Sequence, residues 1–111
     1  MESILTSIKK LLGINEEYEH FDSDIIMHIN SVFMILNQLG VGPTDGFSIK
    51  DKTTTWEDFV TDLAKVEAIK SYVYLKVKLV FDPPTLGSVL EAHQNAITEL
   101  ESRISMAAEE K

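Results

Sequence analysis

At 111 residues, 44% hydrophobic and 25% charged, the chain has the size of one domain and the composition of a folded one, which argues against a second core and against disorder throughout. With no cysteine it has no disulfide framework, thiolate metal site or cysteine nucleophile, and its formal charge of −8 disfavours phosphate backbones on average. Neither a signal-peptide pattern nor an apolar run of about 20 residues occurs, so neither export nor membrane insertion is expected.

In chain order, Ile4, Leu5, Ile8, Leu11 and Leu12 recur at helical spacing, with Ser3 as the expected N-cap and Gly13 as the stop. This predicts a short first helix over about residues 3–12. An acidic linker, Asn15 to Glu19, follows. Asp22, Ser23 and Asp24 then offer a cap and negative charge at the start of a second helix, about 23–39, whose stripe is Ile25, Ile29, Val32, Leu36 and Leu39. Gly40 closes it. From Val41 the composition turns to glycine, proline and threonine, which predicts one long loop over 41–54. Phe47 and Ile49 alternate with polar neighbours, a pattern that allows a short strand or hairpin there.

Thr54 with Glu57, or Thr55 with Asp58, forms a capping-box pattern immediately around Trp56. From there Phe59, Leu63, Val66, Ile69, Val73, Val77 and Val80 form one helical stripe. Residues 72–81 also alternate like a strand, but no glycine or proline interrupts the helical reading before Pro83, so one long helix over about 55–81 is expected. Its second half is apolar around most of its circumference, which asks for cover on several sides. Asp82, Pro83 and Pro84 end it. A fourth helix over about 85–107 carries the seam Leu86, Leu90, His93, Ile97, Leu100, Ile104 and Ala107, with Glu99 and Arg103 as an exposed pair and fraying expected from Ala108. The expected fold is therefore all-α, one domain over 1–111, with four helices and one long loop.

Little in the sequence points to chemistry. There is no glycine-rich phosphate loop, no histidine pair spaced for a metal and no nucleophile elbow, and the chain reads as no enzyme, with no cofactor and no metal. His20, Asp22 and Asp24 are close enough to suggest a metal, but the two aspartates are better explained as helix caps. His28 falls on a polar face, and His93 reads as a packing histidine. The charge is uneven: residues 65–81 hold four bases and one acid in an otherwise acidic chain. Lys70, Tyr74 and Lys78 share a face, with Lys76 nearby, yet lysine stems commonly cover apolar surface while their ammonium groups stay wet. The apolar surplus of residues 72–81 points to assembly with other chains, with Tyr72, Tyr74, Lys78 and Phe81 as the expected contact. An unusually central helix in a lone subunit is the competing explanation.

The run Tyr72-Val-Tyr-Leu-Lys-Val-Lys-Leu-Val-Phe-Asp-Pro-Pro84, followed by Glu99-Leu-Glu-Ser-Arg-Ile104, resembles the head-tail connector proteins of long-tailed double-stranded DNA phages. The order of elements matches over most of the chain, least of all in the loop from Val41 to Thr55. The resemblance implies a virion protein at the head-tail junction, made in the bacterial cytoplasm. It implies a homo-oligomeric ring of about twelve copies that docks on the portal, extends the DNA channel without specific DNA binding and carries neck or tail proteins. It brings no catalytic residues, and it gives Phe81, Asp82, Pro83 and Pro84 the role of fixing the angle between two helices. Acidic side chains lining the channel would suit a duct that must not grip DNA. The alternative is a small acidic regulatory adaptor that binds a single protein partner.

Overall fold

The computed structural model describes residues 2–109, apart from the side chains of Leu63 and Glu109. The expected core position Leu63 and the end of the tail, residues 110 and 111, lie outside the described residues. The architecture is all-helical: α1 Ile4–Leu11, α2 Asp22–Gln38, α3 Trp56–Phe59, α4 Leu63–Phe81 and α5 Gly87–Glu109. Helix α4 lies at the centre and packs on α1, α2 and α5, so the helix with the widest apolar face is the one most covered.

Local chemistry explains most helix ends. Ser3 Oγ accepts the Thr6 amide at 3.2 Å, and Gly13 and Gly40 leave α1 and α2 with φ of 81° and 85°, angles that cost a residue with a Cβ about 1–2 kcal/mol. The start of α2 differs from expectation. Phe21 occupies its N-cap with no side-chain hydrogen bond, because Asp22 is turned toward Lys9 instead. Asp22 and Asp24 still place negative charge in the first turn, where it suits the helix dipole.

The expected single helix over 55–81 is broken. Val60 is extended (φ −141°, ψ 146°), and Asp62 caps a new helix by accepting the Ala64 amide at 3.0 Å. Thr55 and Asp58 form the capping box of the first piece, deciding between the two candidate pairs. The break lets Trp56 and Phe59 both enter the core, where Phe59 lies 4.7 Å from Phe33 and 5.0 Å from Phe47 between ring centroids. Burying two large aromatics contributes about 1.5–3 kcal/mol each, more than the roughly 1 kcal/mol of each helical hydrogen bond lost at the break. Gly42 makes room for this arrangement, since a Cβ there would run into the Phe59 ring.

No strand forms in the loop among the described residues. An isolated bridge joins Ser3 to Thr55. Ile49 is buried all the same, because Asn30 on α2 acts as its ladder partner: the Ile49 amide donates to Asn30 Oδ1 at 2.8 Å and Asn30 Nδ2 donates to the Ile49 carbonyl at 3.0 Å. The last helix begins at Gly87 and not at 85, with Thr85 and Leu86 completing the turn after Pro84. Leu86 is consequently out of helical phase, and the expected seam position is 66% exposed. From Leu90 onward the seam holds, with Ile97 and Ile104 buried against the core. At the other end α5 continues through Ala108, where fraying was expected.

Candidate functional site

Two opposite ends of the bundle carry surface features, and α4 sets their separation. Phe21 at the start of α2 meets Phe81 at the end of α4 edge-on, with centroids 5.4 Å apart. The end of α2 lies instead beside the starts of α4 and the last turns of α5, where Gly40, Ala64, Ala68, Ala107 and Ala108 line one groove. From Ala68 to Phe81 the helix rises roughly 20 Å at about 1.5 Å per residue.

At the first end, a buried lysine organises the acidic linker. Lys9, on α1, is only 2% exposed. Its Nζ donates to the carbonyls of Glu16 at 2.9 Å and Tyr18 at 2.8 Å, and it lies 2.8 Å from Asp22 Oδ1 as an ion pair off the line of a good hydrogen bond. A buried ammonium must replace its lost water with such partners. The linker is thereby fixed with Glu16, Glu17 and Glu19 outward and Tyr18 half-exposed. Tyr18, His20 and Phe21 pack on one another at 4.8–6.0 Å between centroids. His20 thus belongs to an aromatic cluster and Asp22 to an ion pair, which accounts for two members of the metal candidate in other terms.

The residues expected at a subunit contact divide. Tyr72 is wholly enclosed in its own chain, beside Val73 and Val77, so it offers no surface to a neighbour. Its hydroxyl donates to Glu101 Oε2 at 2.7 Å and ties α4 to α5. Tyr74, Lys78 and Phe81 are half-buried. Lys78 bonds the carbonyl of Asp82 at 3.2 Å and approaches its carboxylate at 3.4 Å, which closes the C-terminus of α4 beside the double proline. Asp82 (φ −150°, ψ 69°) leaves the helix there, Asp82 and Pro83 are exposed, and Pro84 is half-buried. Val80, 62% exposed, departs from the predicted stripe, and with Leu86 and Val89 it leaves apolar surface around this turn. His93 is half-buried, with Nδ1 shielded and unpartnered among the described residues.

Burial first, and then the Glu101 carboxylate, push the Tyr72 hydroxyl far above its ordinary value of 10.0. Below that value both folded and unfolded chains hold the proton. Above it the unfolded chain releases the proton while the folded chain keeps it, so stability falls as pH rises past about 10. Tyr72→Phe should flatten this alkaline loss and lower stability at neutral pH by about 1 kcal/mol. Urea titrations at pH 7 and above pH 10 check both, and parallel pH profiles for the two proteins would contradict the assignment.

The suspected basic face is largely neutralised: Lys70 pairs with Glu2 at 2.8 Å, Lys78 with Asp82, and Arg103, beyond that face, with Glu99. Sequence reasoning missed three features: the burial of Lys9, its hydrogen bonds to the linker carbonyls, and the groove at the far end. That groove encloses about 200 Å³, below the roughly 300 Å³ of small-molecule sites. Its walls are apolar and small, and its two charged lining residues, Lys65 and Arg103, are both cations. The signal in the sequence is the alanine at Ala64, Ala68, Ala107 and Ala108, of which Ala107 reads as a seam position and Ala108 as the start of fraying.

Among the described residues no group of three or more acids and histidines is placed to hold a metal, and no helix is long and apolar enough to cross a membrane. A protein-family model described as phage connector protein matches residues 4–111. Comparison with curated proteins and with solved structures gives no match.

Proposed function

The chain belongs to the phage connector protein family, and from that premise we propose that it is a structural ring subunit at the head-tail junction of the virion. It docks on the portal, prolongs the DNA channel and presents a platform to neck or tail proteins. The observation that carries this reading is the extent of the family match, which takes in every helix from α1 to α5.

The electrostatics support a passive duct. A charge of −8 with Lys9, Lys70, Lys78 and Arg103 held in ion pairs gives a DNA backbone little to grip. Ring closure asks for two unlike surfaces on each subunit, and about twelve copies is the number carried over from the family resemblance. Of the positions expected at the contact between copies, Phe81 supports the exposed Phe21, Tyr74 and Lys78 flank it on the last turns of α4, and Tyr72 serves the core.

Electron microscopy of the protein mixed with its portal protein should reveal an added ring beneath the portal. A protein that stays monomeric or dimeric at all concentrations and ignores the portal would instead favour the single-partner adaptor.

A further inference from the structure

We propose that neighbouring copies join head to tail, with the Tyr18–Phe21 knob of one subunit seated in the alanine-lined groove between α4 and α5 of the next. The proposal rests on the ring reading and names the two surfaces that would close it. A ring of identical subunits needs a heterologous contact, in which each copy offers two different patches that fit each other. The knob and the groove meet that demand because they lie at opposite ends of α4, roughly 20 Å apart.

Their chemistry is complementary. Tyr18 is 50% exposed and, with Phe21, stands among Glu16, Glu17 and Glu19. The groove is apolar, takes about one large side chain in its 200 Å³, and is edged by the cation of Lys65, with Arg103 beside it already paired to Glu99. An aromatic anchor entering an apolar pocket, with an opposite charge at the rim, is the arrangement that concentrates binding energy in protein interfaces. The knob is also preorganised. Lys9 holds the linker carbonyls, so less order has to be imposed on association.

The absence of native cysteine makes a direct test available. Within one chain, Tyr18 and Ala68 are too far apart for a disulfide, which needs Cα atoms within about 7 Å. The double variant Tyr18→Cys/Ala68→Cys, oxidised at concentrations where wild type assembles alone or on its portal, should yield a ladder of covalent multimers. Each single variant should stop at dimers, and Tyr18→Cys/Ser88→Cys should give no ladder. Lys65→Glu, which leaves the core untouched, should weaken assembly about tenfold. Circular dichroism confirms that each variant is folded. If wild type forms rings on the portal while the Tyr18→Cys/Ala68→Cys chain gives no ladder and Lys65→Glu assembles normally, the contact is elsewhere and the ring reading survives. If wild type never assembles, both fall together.

Discussion

Lys9→Met is expected to lower stability by about 3 kcal/mol, toward the lower end for a broken buried ion pair because Asp22 is still partly wet. Methionine fills most of the same space, so the loss measures the ammonium and not a cavity. Without it the carbonyls of Glu16 and Tyr18 lose their donor and the Asp22 carboxylate faces the protein without a counter-charge. Lys9→Arg should not rescue, since the broader guanidinium would have to fit where the Lys9 side chain is almost fully enclosed. For a chain of this length the melting temperature should fall by roughly 12 °C or more. The linker should also become sensitive to limited proteolysis between residues 15 and 21. In a double-mutant cycle, Asp22→Asn should cost much less in the Lys9→Met background than alone. A Lys9→Met protein that melts within two degrees of wild type would show that these contacts contribute nothing net.

Trp56→Ala should be at least as damaging, at about 3–5 kcal/mol, the usual range for removing a buried indole from a core. Trp56 is 1% exposed and holds α3 against α1, where its Nε1 donates to Ser7 Oγ at 2.8 Å. Neighbouring backbone bonds, Ile4 amide to Thr54 carbonyl at 3.0 Å and Trp56 amide to Glu2 carbonyl at 3.2 Å, depend on the same docking. Trp56→Phe separates the two contributions: it keeps most of the apolar area and loses the hydrogen bond, so roughly 1–2 kcal/mol is expected. Urea unfolding followed by circular dichroism distinguishes the variants. Equal losses in the two would mean that shape, and not volume, governs the site. With total stability of about 5–15 kcal/mol typical for a domain, the alanine variant should be close to unfolding.

Both predictions concern α1, a short helix that gains its hold from tertiary partners. Helices of this length are marginal alone. Its apolar stripe was plain in Ile4, Leu5 and Ile8, yet the role of Lys9 was invisible because a lysine on an amphipathic helix ordinarily lies at the wet edge. Tyr72 shows the same limit from the other side. An aromatic on an over-apolar helix reads as spare surface until α5 is seen to lay Glu101 over its hydroxyl. The interruption at Val60 was equally hidden: the stripe through Phe59 continues in register, and the gain that breaks it comes from Phe33 and Phe47, distant in the chain.

By itself the amino-acid order determined what depends on neighbours a few positions away: the all-helical class, the stops at Gly13, Gly40 and Pro83, the Ser3 cap, a capping box at Thr54 or Thr55, and the resemblance that led to the connector family. Those features follow from helical period and from backbone angles, which act within about one turn. Only the tertiary structure decided that Lys9 would be buried, that Tyr72 would face inward, and that four alanines from two antiparallel helices would meet as a groove. Each of these depends on which face of one helix covers which face of another, and a periodic pattern states that a face must be covered without stating by what.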